Sequence, residues 1–259
     1  MLTVGIRRGG ALLVVVCLLG GCRWDGDDGR DRNPDNQPYY VRQPAPGDTT
    51  PPDSDHTPHK VRGPAFSGDQ ASFQLVNGSD AVQVRVADLG DAMFEVSTAE
   101  GAKSAPTVQV NGASVIAGLR GTGEVGPAVV QVMLSDDVRW SVELAGGATS
   151  ESVDLTGGPG GDIDFSAGTS RAEAALPAGR GTQRVTMRGG TSQFVVRLAG
   201  VAPARVSATG GANSVTVDDK TYTGVSGNAV WTPDNWAAAQ DRYDITAAAG
   251  VSTMTVTRK

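Results

Sequence analysis

A repeat of 21 to 22 residues constrains this chain more than any other feature. Four glycines mark it: Gly147, Gly168, Gly190 and Gly211. Five and three residues before them stand Val142/Leu144, Ile163/Phe165, Val185/Met187 and Val206/Ala208. Six and eight residues after them stand Val153/Leu155, Ala174/Leu176, Val196/Leu198 and Val217/Asp219, and only the last member breaks the pattern. Gly126 has Val132/Leu134 after it at the same offsets, but glycines before it. Residues two apart share one face of a strand. Each unit therefore carries two short strands with an apolar face, joined by turns in which glycine can supply positive φ. Two strands per period of this length suit a β-solenoid, whose stacked coils bury their inward residues in a shared core. A β-sandwich of evenly spaced hairpins is the competing architecture, but it does not demand equal offsets through four units. The expected fold is all-β: a single-domain β-solenoid with coils of about 21 residues.

Composition agrees with short strands and tight turns. The 259 residues include 35 glycines and only 5% aromatics. Residues 66–259 carry 14 Lys and Arg against 20 Asp and Glu, so the folded part repels phosphate backbones and no nucleic-acid partner is expected. The cysteines are Cys17 and Cys22 and the histidines are His56 and His59, all upstream of residue 66. That excludes zinc sites of the usual kind and Ser/His/Asp or Cys/His catalysis from the folded part. No metal, cofactor or catalytic residue is expected.

The N-terminus reads as an export signal. Arg7 and Arg8 precede the apolar run Ala11–Leu19, which is too short to span a bilayer stably. It closes on Leu19-Gly20-Gly21-Cys22. This resembles a bacterial lipobox, and the resemblance implies that Cys22 is acylated and becomes the mature N-terminus. An ordinary signal peptide with an incidental cysteine, or an uncleaved anchor, is the alternative. Residues 23–65 are rich in Pro and Asp and poor in aliphatic residues, which predicts a disordered tether. The expected location is the outer face of the cytoplasmic membrane, Gram-positive type, with the membrane as a partner through the lipid.

The domain divides by pattern into irregular N-terminal strands (66–125), regular repeats (126–230) and a C-terminal cap (231–259). Val82-Gln83-Val84-Arg85-Val86 alternates, yet residues 66–120 stand outside the period. Thr232-Pro233 followed by Asp234-Asn235-Trp236-Ala237-Ala238-Ala239 predicts a short cap helix. Trp231, Trp236 and Tyr243 are expected to close the end of the core.

The stretch from Trp140 to Lys259 resembles the putative-adhesin or "toast-rack" β-solenoid domains of bacterial, notably actinobacterial, surface proteins. The resemblance rests on Gly210-Gly211-Ala212-Asn213-Ser214-Val215-Thr216-Val217-Asp218-Asp219-Lys220-Thr221-Tyr222, with Trp236, Tyr243-Asp244-Ile245, Ala249-Gly250-Val251 and Val256-Thr257-Arg258. It implies fold and location; these are domains of unknown function, with no catalytic residues to carry over.

Outward residues stack too. Glu143, Asp162 and Asp164 are expected to gather beside Arg184, on strands about 4.8 Å apart. Clustered carboxylates suit Ca²⁺, and paired ones suit polysaccharide cleavage. The same pattern fits a solvated face with Asp162–Arg184 and Arg197–Asp218 as cross-coil ion pairs. Gly157-Gly158-Pro159-Gly160-Gly161-Asp162 resembles a calcium nonapeptide but has Asp164 where that repeat needs an apolar residue, so it reads as a glycine corner. Arg180, Arg184, Arg188, Arg197 and Arg205 form a local basic band that could meet anionic wall polymers. The leading functional expectation is a non-enzymatic binding, adhesion or scaffold module whose partner is a cell-wall polymer or an envelope protein. A polysaccharide-cleaving β-helix enzyme and an envelope-stress sensor are the alternatives.

Overall fold

Alternating inward and outward residues, punctuated by glycine corners, generate nineteen strands in residues 58–258, which the computed structural model describes. They are β1 (Lys60–Arg62), β2 (Gln70–Leu75), β3 (Ser79–Ala87), β4 (Phe94–Thr98), β5 (Ser104–Asn111), β6 (Ser114–Gly121), β7 (Val129–Ser135), β8 (Arg139–Leu144), β9 (Ala148–Asp154), β10 (Gly161–Phe165), β11 (Thr169–Leu176), β12 (Thr182–Met187), β13 (Thr191–Leu198), β14 (Ala204–Ala208), β15 (Ala212–Val217), β16 (Lys220–Val225), β17 (Ala229–Trp231), β18 (Arg242–Ala247) and β19 (Val251–Arg258). The signal segment 1–22 with Cys22, and the tether up to residue 57, lie outside the described residues.

The strands form two facing sheets. The ten-stranded sheet runs β1-β4-β7-β3-β9-β11-β13-β19-β15-β16, and the nine-stranded sheet runs β17-β14-β18-β12-β10-β8-β2-β6-β5. Seven coils, each one strand in either sheet, stack in parallel: β6/β7, β2/β3, β8/β9, β10/β11, β12/β13, β18/β19 and β14/β15. Their inward residues continue from coil to coil. One row is Val115–Phe73–Val142–Ile163–Val185–Ile245–Val206, and the facing row is Val132–Val84–Val153–Ala174–Val196–Val256–Val217. Most of these residues are completely buried, and Phe165 meets Phe194 edge to face at 6.3 Å.

The offsets read from the four glycines match this register. The order of the coils does not follow the chain. β2/β3, expected to lie outside the period, sits between β6/β7 and β8/β9 in full register. It obeys the same rule about Gly78, with Phe73/Leu75 before and Val84/Val86 after. At the other end β18/β19, organised about Gly250, inserts between β12/β13 and β14/β15.

Both ends of the stack are closed by reversed coils. β4 and β5 run antiparallel to β7 and β6, and β16 and β17 run antiparallel to β15 and β14. Of the four outermost strands, β1 and β17 have three residues each and β5 carries Pro106, features that discourage further pairing at those edges. Asp218 has φ 50° where the chain reverses into β16, which is why the apolar pattern fails at Asp219.

Three further expectations are corrected. β1 lies within the segment read as tether: it pairs with β4, and Lys60 Nζ reaches the buried Glu95 carboxylate at 2.8 Å. The cap helix is not formed, and residues 232–241 make turns. Trp236 N donates to Pro233 O at 3.0 Å and Ala239 N to Asn235 O at 3.1 Å, but so short a run cannot offset helix nucleation. Of the three aromatics assigned to the cap, only Trp231 serves there, packed on Tyr222 with centroids 5.0 Å apart. Tyr243 lies fully buried inside the stack, and Trp236 lies outside it.

The constrained glycine of the regular corners is often the residue before the landmark. A Cβ on Gly146, Gly189 or Gly210 would overlap the backbone of Asn77, Ala167 or Ala249 in the neighbouring coil. These corners need glycine for close approach, a demand the sequence reading assigned to positive φ at the next residue. Positive φ does hold at Gly147 and Gly211.

Candidate functional site

The outer face of the nine-stranded sheet carries the predicted cluster. Val142 and Leu144 point inward on β8, so Glu143 points out; Ile163 and Phe165 do the same for Asp162 and Asp164 on β10. Glu143 and Asp164 are register neighbours, and Ser166 Oγ joins them, at 2.9 Å from Glu143 Oε1 and 3.3 Å from Asp164 Oδ1. Gln74 Nε2 donates to Glu143 Oε2 at 3.1 Å. Arg188 holds Asp164 Oδ2 through Nε at 2.7 Å and Nη2 at 2.6 Å, and this hydrogen bond raises the pKa of its guanidinium. Asp162 accepts from the backbone N of Arg184 at 2.9 Å and faces its Nη1 at 3.5 Å. The structure thus brings Glu143, Asp162, Asp164 and Arg184 onto one face and adds Arg188, Gln74 and Ser166. A shallow cavity of about 200 Å³ lies among Asp162, Asp164, Arg184 and Arg188.

The chemistry of this face is that of matched charge. Asp162 and Asp164 each face an arginine of the next coil, and Glu143 accepts two neutral donors. Among the described residues no three His, Cys, Asp or Glu side chains converge as a metal site. The predicted Asp162–Arg184 pair is present, whereas Arg197 pairs with Glu173 at 2.8 Å and not with Asp218, whose partner is Arg258. The cause is the inserted coil, which places β19 between β13 and β15. Arg197 and Arg171 together hold the Glu173 carboxyl below the usual carboxylate range, Arg197 with the larger effect.

The basic band disperses in the same way. Arg184 and Arg205 lie on the nine-stranded sheet, Arg188 directly after β12 of that sheet and Arg197 on the other, and all four are paired with carboxylates. Arg205 makes two hydrogen bonds to Asp244, at 3.0 and 2.5 Å, and its Cζ lies 4.0 Å from the Trp236 ring centroid. Arg242 also sits over that ring, at 4.7 Å. Trp236 therefore pins the 232–241 segment across the sheet by cation–π contact.

Sequence reasoning missed Glu151. It stands four residues after Gly147, a position that is Val82, Ala172, Phe194, Met254 and Val215 after the other landmark glycines. That single break in an apolar row was the available signal. Glu151 is completely buried between Val82 and Ala172, and neither carboxylate oxygen has a hydrogen-bond partner. Burial pushes its pKa up to about 7. Such a value suits an acid–base catalyst, but this carboxyl is sealed in the core, out of reach of any polymer at the surface.

No family model matches this sequence, and no curated protein matches it. Among solved structures, a putative cell adhesion protein from Clostridium sporogenes aligns with a TM-score of 0.57 at 12% identity, over 78% of this chain and 100% of that one. The two share a fold. A putative adhesin from Bacteroides fragilis aligns over 76% of this chain and 94% of its own at 9% identity, but with a TM-score of 0.23, too low to bear on the fold.

Proposed function

We propose that this chain is a lipid-anchored cell-surface protein whose solenoid serves as a non-catalytic adhesion or scaffold module of the cell envelope. The observation that carries the reading is the fold shared with the putative cell adhesion protein from Clostridium sporogenes, along the full length of the chain aligned. The lipobox-like Leu19-Gly20-Gly21-Cys22 supports the anchor. The outer carboxylates favour a scaffold over a hydrolase, because Asp162 and Asp164 face arginines while Glu151, whose pKa burial raises to about 7, is sealed in the core. The partner is a cell-wall polymer or an envelope protein.

The test has two arms in a bacterium displaying the full chain. Labelled palmitate and membrane fractionation compare wild type with Cys22→Ser. The wild type is expected to take up label and sediment with membranes, and the variant to do neither; equal behaviour refutes the anchor. Attachment and aggregation of displaying cells are then compared with those of cells lacking the chain, and no difference refutes the adhesion reading.

A further inference from the structure

The inserted coil 242–258 offers a way to bind a second copy of this chain. Register makes β18/β19 interchangeable with its neighbours: Val185 pairs with Ile245 and Ile245 with Val206, while Val196 pairs with Val256 and Val256 with Val217. The flanking coils β12/β13 and β14/β15 are therefore in frame with each other, Val185 with Val206 and Val196 with Val217. When the inserted coil leaves, they can pair directly and bury the strand edges that its departure exposes. The connection 199–203 joins these two coils and is exposed at Val201.

The departing piece is self-contained. Trp236 Nε1 donates to Tyr243 O at 2.8 Å and Arg242 Nη1 to Ala237 O at 3.0 Å, so the 232–241 segment travels with its own coil. Few contacts bind that segment elsewhere, chiefly Arg205 on Trp236 and Gly181 N on Asp241 Oδ1 at 2.7 Å. The slot in turn recognises this coil. Tyr243 Oη reaches Pro177 O at 2.6 Å and Ala199 O at 2.7 Å in a fully buried position.

We infer that two copies of this chain exchange residues 233–258, each placing its β18/β19 between β12/β13 and β14/β15 of the other. The exchanged pair keeps each contact of the monomer and differs only at the joint near Thr232-Pro233, so concentration governs the balance. Crowding on a surface raises effective concentration, and the exchange then supplies homophilic adhesion. This identification of the partner rests on the adhesion reading above.

The decisive experiment mixes two full-length chains in a Cys17→Ser/Cys22→Ser background, one with Gln193→Cys and one with Thr253→Cys. These exposed positions are register partners on β13 and β19, and a strand spacing of about 4.8 Å lies within disulfide reach. The expected result is a covalent heterodimer, linked 193 to 253 by peptide mapping, whose yield rises with concentration. Light scattering of the wild type should show a dimer share that rises in step. A chain that stays monomeric at every concentration overturns the proposal. So does a double variant that closes within itself while the mixed single variants never join. Cells displaying a Gln193→Cys/Thr253→Cys variant that keeps Cys22 for anchoring, and that is closed within itself, separate the two readings. If they adhere like wild type, exchange is refuted as the source of adhesion and adhesion stands. If wild-type cells themselves do not adhere, the adhesion reading falls, and the mixed cross-link still decides exchange.

Discussion

Raising the pH should destabilise this domain through one residue. Glu151 is 0% exposed, lies in the apolar row between Val82 and Ala172, and has no hydrogen-bond partner on either oxygen. Its carboxyl is raised from 4.5 to about 7 by burial. The unfolded chain gives up this proton near the ordinary glutamate value, whereas the folded chain holds it until near neutrality. Between those values unfolding releases a proton, so rising pH favours the unfolded state. The loss begins near pH 4.5, steepens towards about 1.4 kcal/mol per pH unit, and levels off above pH 7 at about 3 kcal/mol. Glu151→Leu removes both the titration and the unpaired polar atoms, and Glu151→Gln removes only the titration. Urea unfolding at pH 5 and pH 8.5 checks this, with the wild-type loss between the two compared with that of each variant. Wild type should lose about 2.5 kcal/mol more than Glu151→Leu, part of the loss having already occurred by pH 5, and Glu151→Gln should share the flat profile of Glu151→Leu at lower absolute stability. Equal losses in wild type and Glu151→Gln would refute the reasoning, because the pH response would then come from other groups.

Other perturbations follow from particular contacts. Gly189→Ala drives a Cβ into the Ala167 backbone of the next coil and should cost upwards of about 3 kcal/mol by urea unfolding. Tyr243→Phe deprives the Pro177 and Ala199 carbonyls of their shared donor, so a loss of about 1–3 kcal/mol is expected in the same assay. Trp236→Ala removes the ring between Arg205 and Arg242; hydrogen exchange should speed up in residues 232–241 while the β10 and β12 amides keep their protection. Calcium at millimolar concentration should leave the melting temperature of wild type and of Asp162→Asn/Asp164→Asn unchanged, since Arg184 and Arg188 already face these carboxylates; a calcium-dependent rise lost in the variant would establish an ion site.

Much of the candidate face was legible without coordinates. Alternation about Val142/Leu144 and Ile163/Phe165 puts Glu143, Asp162 and Asp164 outside, and the period places Arg184 opposite Asp162. The Arg188 grip on Asp164 was not legible, because Arg188 follows the last residue of β12 and the direction taken by a long side chain after a strand is set by its surroundings. Arg205 with Asp244 was not legible either: the two are 39 residues apart and become neighbours only through coil insertion.

The sequence by itself determined the unit of this fold. The offsets about Gly147, Gly168, Gly190 and Gly211 specify two strands per coil, which residues face inward and how successive coils align, because alternation and glycine corners are local properties. Which coil lies beside which was decided only by the tertiary structure. Each coil carries nearly the same offsets, so β12/β13 pairs as well in frame with β18/β19 as with β14/β15, and sequence period cannot choose between them. The choice comes from the ends of the stack. Reversing β4/β5 and β16/β17 covers the open edges, and drawing β2/β3 and β18/β19 inward gives each of their strands a partner on both sides.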